Sequence, residues 1–186
     1  FDKTNSISIP AGSSAAVYPS TNVVSGLAGT ISSMTLTLKR LTHPTPYDLE
    51  MLLVAPGGQK SVFFSRVSSN AANDVTVTVD DTATYQLPPI PYGLLTGTYK
   101  SADFGHGTFP APAPSSPYGT DLSAFTGASP NGDWRLFVRN ASGGTGAGNI
   151  VRSRRVRRRT RISLGFDIGT GSVSVSVRRV RRGRGP

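Results

Sequence analysis

Residues 41–66 read LTHPTPYDLEMLLVAPGGQKSVFFSR, a stretch in which a long apolar run is followed by a turn sequence. Its middle, EMLLVAP at 50–56, is apolar on both faces, which is typical of a central strand buried in a sandwich. The PGG at 56–58 that ends it is a turn sequence. A strand of this kind needs other strands around it, and the flanking sequence supplies them.

Alternation with a period of two residues recurs along the chain, in SSMTLTLK, DVTVTVD and DWRLFVRN. β-Branched and aromatic residues suit a pleated, half-buried surface. No segment shows an apolar helical stripe over three turns, and turn sequences separate the runs. We therefore predict an all-β, jelly-roll-like β-sandwich over residues 1–150. The predicted core includes Leu36, Leu38, Leu49, Met51, Leu53, Val77, Trp134, Leu136 and Val138.

Residues 86–120 differ from the strands because they hold seven of the fourteen prolines. Proline cannot donate a hydrogen bond to a sheet, so this segment is a loop or an extension that covers an edge. Its aromatic residues are expected to pin it onto the sandwich: Tyr92, Tyr99, Phe104, Phe109 and Tyr118. Two interpretations of this segment stay open, a plain connecting loop and a ligand-binding loop.

The charge is placed unevenly. Residues 1–150 carry eight Lys and Arg against nine Asp and Glu, a net charge of −1, whereas residues 151–186 carry twelve Arg against one Asp, a net charge of +11. The basic pI therefore describes the tail and not the body. The chain has no cysteine, which excludes disulfides, thiolate nucleophiles and Cys-type zinc sites. No apolar run approaches the 18 residues of a transmembrane helix.

The tail, residues 151–186, begins with a run of arginines: Arg152, Arg154, Arg155, Arg157, Arg158, Arg159 and Arg161. One interpretation is a surface anchor for acidic polysaccharide or phospholipid headgroups. Another is a nucleic-acid arm, which is disfavoured because the body has neither a basic stripe nor a nucleic-acid-binding motif. A third is a solvated connector, or an altered end of the chain.

The second half of the tail alternates again and predicts a β-hairpin over 161–177, with GTG at 169–171 as its turn. Its apolar positions are Ile162, Leu164, Phe166, Val173, Val175 and Val177. A lone hairpin is marginal in water, so it needs a sheet to join. NSISIP near the N-terminus, with Ile7 and Ile9, is a second candidate strand donor.

The sequence contains few residue combinations that are typical of catalytic or metal sites. The only histidines are His43 and His106, and no G-x-S-x-G motif accompanies them, so no catalytic residues are assigned and a non-enzyme is expected. No cofactor is predicted; if a metal binds, calcium is the candidate, through Asp48, Asp80, Asp81 and Asp103. Asn140-Ala141-Ser142 is a glycosylation sequon, so Asn140 is a candidate for a sugar.

Two stretches resemble the P domain of subtilisin-like proprotein convertases. In the first, the matching residues are His43, Asp48, Leu49, Pro56, Gly58 and Arg66; in the second they are Pro130, Gly132, Trp134 and Leu136. The resemblance covers about residues 5–150 and implies a secreted jelly-roll-like sandwich, attached to other modules, in which His43 and Asp48 are structural. It also implies a closing strand with Trp and Leu after the Gly-rich turn, where this chain instead has arginines.

A sandwich that lacks its closing strand has an open edge, which recruits a strand from its own chain or from a neighbour. Head-to-tail donation between copies builds filaments. We therefore expect a bacterial, non-catalytic structural subunit that self-assembles by strand donation into an extracellular filament or a cell-surface layer, with adhesion as a related role. The alternatives are an auxiliary P domain that stabilises a secreted subtilisin-like protease and a polyanion-binding module. Because the chain begins at Phe1, we expect that a signal peptide has been removed.

Overall fold

Ten strands and two short 3-10 turns build the chain in this computed structural model, which describes residues 7–141, 162–167 and 172–177. The strands are β1 (Ser20–Val24), β2 (Met34–His43), β3 (Leu49–Val54), β4 (Lys60–Ser65), β5 (Ala72–Asp80), β6 (Gly97–Tyr99), β7 (Ala102–Asp103), β8 (Gly132–Asn140), β9 (Ile162–Asp167) and β10 (Ser172–Val177). The 3-10 turns are Pro46–Asp48 and Leu122–Phe125. The all-β prediction is confirmed.

The strands form two five-stranded sheets. One has the order β1-β8-β3-β4-β7 and the other has the order β10-β9-β2-β5-β6. β3 lies at the centre of the first sheet, paired antiparallel with both β8 and β4. The stretch that is apolar on both faces is therefore the middle strand of a sheet, as its sequence predicts.

The main core lies between the two sheets. Trp134 fills its centre, where its indole N–H donates to the Pro130 carbonyl at 2.9 Å and its ring meets Phe125 edge-on at 5.3 Å. All nine residues predicted for the core are buried in this cluster, which confirms that prediction. The alternating runs predict the core correctly because a period of two places every second side chain in the space between the sheets.

The proline-rich segment forms a third layer over part of the first sheet. Phe109 and Tyr118 lie on the outer face of that sheet, where Phe109 packs in a second apolar cluster with Leu52, Val62 and Phe137. The expectation that aromatic residues pin this segment is confirmed for Phe109, which is 4% exposed, whereas Tyr92 and Phe104 are exposed. This layer explains why β3 is apolar on both faces: each face has its own cover.

The C-terminal strands join the second sheet. β9 lies parallel to β2, with Met34 opposite Ile162, and β10 pairs antiparallel with β9, with Val177 opposite Ile162. The second sheet is thus extended from within the same chain, by a strand that begins 22 residues after β8 ends. None of the helices in the described part of the chain has the length and apolar character to cross a membrane.

Candidate functional site

A buried carboxylate, Glu50, organises the most elaborate polar cluster of the described residues. Glu50 is fully buried on β3 and stands opposite Arg139 of β8 in the sheet register. Arg139 donates from Nε to Glu50 Oε2 at 2.8 Å, and its Nη2 lies 2.8 Å from the same oxygen. Arg66 approaches the other oxygen at 3.7 Å. A buried carboxylate is costly without partners, and two guanidiniums compensate that cost here.

The same carboxylate fixes the loop that follows β7. The Gly107 N–H donates to both oxygens of Glu50, at 3.3 and 3.1 Å. A Cβ at Gly107 would collide with Nη2 of the Arg139 guanidinium, so a side chain there would force this group to shift. Arg139 also lies over the Phe109 ring, with 5.6 Å between the guanidinium carbon and the ring centroid. Glu50 and Arg139 therefore hold the third layer against the sheet.

His106 belongs to this loop and pairs with an aspartate. Its Nδ1 lies 2.6 Å from Asp103 Oδ2, and its ring meets Tyr118 edge-on at 5.3 Å. The other oxygen of Asp103 accepts the Gly105 N–H at 3.0 Å. Asp103 thus orients the imidazole and also shapes the turn, so both carboxylate oxygens are engaged within the protein.

His43 is fully buried at the end of β2, away from solvent. Its Nδ1 accepts the Thr45 N–H at 3.1 Å, and its Nε2 lies 3.4 Å from the Asn140 amide. His43 consequently ties the chain before β3 to the end of β8, the structural role that the resemblance implies for it.

Asn140 is 3% exposed and faces this histidine. A sugar on its Nδ2 would have to displace the imidazole, so the folded structure argues against glycosylation at this position. The third residue of the sequon, Ser142, lies outside the described residues.

The predicted calcium ligands do not gather into one site. Asp48 ends the first 3-10 turn, whereas Asp80 caps its own turn by accepting the Thr82 N–H and hydroxyl at 2.9 and 2.7 Å. Within the described ranges, no three His, Cys, Asp or Glu side chains are placed to share a metal ion. The proposal that these carboxylates bind calcium stays a prediction, with the Asp80 carboxylate already engaged in its own turn.

A polar cavity of about 430 Å³ does bring Asp81 and Asp103 to one place. Its lining residues are Asp81, Gln86, Lys100, Ser101, Asp103, Thr120, Asp121 and Ser123. Asp81 accepts the Leu122 N–H at 3.1 Å, and burial raises the pKa of its carboxyl group above the usual value. The cavity is open and polar, which suits water or a small polar molecule better than an apolar ligand.

Both candidate strand donors are engaged within the chain. Ile7 and Ile9 are 2% and 0% exposed and belong to the main core, while β9 extends the second sheet beside β2. The side chains of the six predicted hairpin residues lie outside the description, namely those of Ile162, Leu164, Phe166, Val173, Val175 and Val177. Residues 1–6 and the arginine run Arg152–Arg161 lie outside it as well.

The sequence reasoning missed the Glu50–Arg139 pair. The sequence did contain a sign of this pair. Glu50 is a charged residue at the start of an otherwise apolar strand, and Arg139 occupies a polar position of the alternating run DWRLFVRN. What the sequence does not contain is the register that places them opposite each other, since β3 and β8 are separated by almost eighty residues.

No protein family and no curated protein matches the chain. Among solved structures, it is similar to a chain in the crystal structure of the Aeromonas sobria serine protease with its chaperone ORF2, with a TM-score of 0.40 and 16% identity. That likeness covers 77% of this chain and 20% of the other. The chain therefore spans about a fifth of its neighbour's length, and a likeness this distant carries no argument about activity.

Proposed function

We propose that the chain is a non-catalytic accessory domain that accompanies a secreted subtilisin-like protease. The proposal is supported by the position of the two P-domain-like stretches, which form paired strands in the first sheet. The first supplies His43 and β3, and the second supplies β8, which pairs with β3 along six residues from Leu49 to Val54. The ring nitrogens of His43 face Thr45 and Asn140, which leaves them engaged in holding the fold.

An exposed apolar loop supplies a contact surface for such a partner. Four large side chains on residues 85–95 face solvent: Tyr85, Ile90, Tyr92 and Leu95, exposed by 73%, 52%, 66% and 68%. Backbone and side-chain hydrogen bonds hold this loop, including Leu87 N–H to Lys100 O at 2.9 Å and Asn70 Nδ2 to Pro91 O at 3.2 Å. Ordered, exposed tyrosine and aliphatic side chains are typical of protein-binding surfaces.

The test isolates the chain with an antibody from the cells or culture medium in which it occurs naturally. A fluorophosphonate probe, which labels serine hydrolases, then shows whether a labelled protease is present in the same polypeptide or complex. The expected result is a labelled subtilisin-like protease whose thermal half-life shortens when Tyr92→Ser and Leu95→Ser are introduced. The matched control is Thr84→Ala with Thr98→Ala, two polar changes at exposed positions beside the same loop. Isolation without any labelled serine hydrolase contradicts the proposal.

Self-assembly, with an adhesive role, is the second candidate. It is supported by β10, which pairs only with β9 among the described strands and so leaves one strand edge available to another copy. The position of Ile7, Ile9 and β9 within their own chain favours a closed monomer over donation between copies. Sedimentation at high protein concentration separates the two, since a monomer at every concentration excludes the filament.

A further inference from the structure

The polar cavity described above is rich in hydrogen-bond acceptors and in negative charge. Three aspartates and one lysine lie in its wall, a net charge of −2. Gln86, which also lines the cavity, donates from Nε2 to the Ser101 carbonyl at 3.1 Å, so its side-chain oxygen stays available as an acceptor. An ionised carboxylate accepts hydrogen bonds and donates none. A ligand that complements this wall therefore brings hydrogen-bond donors and positive charge.

Two of the carboxylates lie close together in the wall. Asp81 Oδ1 accepts the N–H of Leu122, the residue that follows Asp121, at 3.1 Å. Burial raises the pKa of the Asp81 carboxyl group, and the negative charge of Asp121 raises it further. Both effects disfavour the ionised form of Asp81. A cation bound beside these two carboxylates would offset both effects.

Ser101 gives an independent indication of a ligand. This residue is 7% exposed and lines the cavity, in the short connection between β6 and β7. Its carbonyl accepts the Gln86 amide, but its hydroxyl has no hydrogen-bond partner among the residues that the structure describes. A hydroxyl that is removed from water without a partner lowers stability. An N–H donor inside the cavity would supply that partner.

The cavity lies beside the exposed apolar loop of residues 85–95. Gln86 belongs to both, and the Tyr85 carbonyl accepts the N–H of Lys100, another residue of the cavity wall, at 2.7 Å. We propose that the cavity binds an arginine or lysine side chain of a protein partner whose flanking residues contact this loop. Guanidinium and ammonium groups carry several N–H donors and no acceptor, as the wall requires. The proposal rests on the accessory role in so far as it names the chemistry of the partner's surface.

The test titrates the full, isotope-labelled chain with N-acetyl-arginine amide and follows the backbone amide signals of Ser101, Leu122 and Ser123 by NMR. N-acetyl-citrulline amide, which has almost the same shape but no charge, is the matched ligand. The arginine derivative is expected to bind at least about tenfold more tightly, because hydrogen bonds between charged groups are stronger than neutral ones. Equal binding of the two ligands, or no shift with either, overturns the proposal.

A second pair of ligands identifies the source of the cation. A capped peptide with leucine on both sides of one arginine represents a protein partner, and ethylguanidinium represents a small diffusible cation of the same charge. The peptide is expected to bind at least about tenfold more tightly, because its leucines add apolar contacts with the exposed loop. Equal or weaker binding by the peptide overturns the assignment to a protein partner.

Asp121→Asn locates the site by removing one negative charge from the wall. This variant is expected to weaken binding of the arginine derivative about tenfold, because the cation loses a charged partner. Asp133→Asn removes the same charge from an exposed position on β8, three strands from β7, and is expected to stay within about twofold of wild type. Equal effects of the two variants overturn the placement in the cavity.

Two further variants act in opposite directions. Ser101→Ala is expected to weaken binding several-fold without lowering the melting temperature, since the hydroxyl has no partner to lose among the described residues. Lys100→Gln removes the one cation in the wall and is expected to strengthen binding about threefold. Weaker binding by Lys100→Gln would show that the cavity prefers an anion, which overturns the proposal.

A calcium titration of the same amide signals separates an organic cation from a metal ion. Calcium that binds more tightly than the arginine derivative overturns the assignment to a basic side chain. None of these measurements contains a protease, so their failure leaves the accessory role intact. Conversely, isolation of the chain without a labelled serine hydrolase contradicts the accessory role and leaves the cation site intact.

Discussion

Arg139 and Glu50 stand opposite each other on β8 and β3, and the arginine Nε donates to the buried carboxylate at 2.8 Å. The pair lies under the loop that carries Gly107 and His106, so it joins a sheet to the layer above it. Its burial makes it sensitive to loss of either partner, because the remaining charge would stay desolvated.

We expect Glu50→Gln to lower the free energy of unfolding by about 3 kcal/mol, since two guanidiniums then face a neutral amide in a buried position. Urea denaturation measures the effect. The matched control is Asp74→Asn, which breaks the exposed ion pair with Arg40 and is expected to cost less than about 1 kcal/mol. Equal losses in the two variants would show that burial does not distinguish them.

Gly107→Ala should loosen the third layer, because the added Cβ collides with the Arg139 guanidinium and drives it from Glu50. Limited proteolysis of residues 103–120 is expected to accelerate, with the midpoint of thermal unfolding falling by a few degrees. Gly93→Ala is the matched control, since its Cβ would meet only Asn70 Nδ2 at an ordinary 3.6 Å. A cleavage rate equal to that of wild type would contradict the role given to Gly107.

Trp134→Ala is expected to destabilise the chain by about 3–5 kcal/mol, because it empties the centre of the main core and removes the bond to the Pro130 carbonyl. Tyr85→Ala, at a position 73% exposed, is expected to change the unfolding free energy by less than about 0.5 kcal/mol. Denaturant titration compares the two. A small effect at Trp134 would mean that the sandwich does not close around it.

Burial raises the pKa of the Tyr18 hydroxyl to about 12, against an opposing effect of Arg139. The folded chain therefore holds this proton more tightly than the unfolded chain does. The resulting stability is present below pH 10, the ordinary tyrosine pKa, and is lost as the pH rises towards 12. Thermal melting of wild type and Tyr18→Phe between pH 9 and 12 tests this, with a shallower decline expected for the variant. Parallel declines would place the effect on other tyrosines, of which Tyr118 also has a raised pKa.

The pKa of Asp81 is raised as well, but neutral pH lies above the range in which this carboxyl group titrates, so at pH 7 its burial lowers the stability of the folded state. Burial raises the pKa of its carboxyl group, so ionisation costs the folded state stability, and this cost disappears as the pH falls through the folded pKa. Asp81→Asn keeps an oxygen for the Leu122 N–H and is expected to be neutral to slightly stabilising at pH 7. The advantage should vanish near pH 3. Asp133→Asn, at an exposed position, is the control for loss of one negative charge.

The sandwich could be predicted from local patterns because alternation and turn residues act over a few positions. Trp134, Leu136 and Val138 show this: a period of two assigns each to the core without knowledge of its neighbours. The third layer was foreseen only as a loop with aromatic anchors, and Phe109 and Tyr118 bear this out. Proline and glycine reveal where regular structure stops, but not the surface on which a loop will lie.

The polar clusters were harder to foresee because they depend on register. The sequence predicts Asp103 as a metal ligand, whereas in the structure its carboxylate pairs with His106, three residues later. Asn140 was read as a surface sequon, yet strand pairing with Leu49 carries it inside. In both cases the residue type was informative, but the position of a distant strand decided its role.

The pairing of β3 with β8 also sets the order in which the chain can fold during synthesis. β3 is complete at Val54, but the strand that pairs with it begins at Gly132 and ends at Asn140. Until that strand has emerged, β3 has only β4 beside it in the first sheet, and Trp134 is absent from the core. A sheet built from such distant partners forms slowly and late. The first sheet can therefore be completed only after most of the described chain has been synthesised.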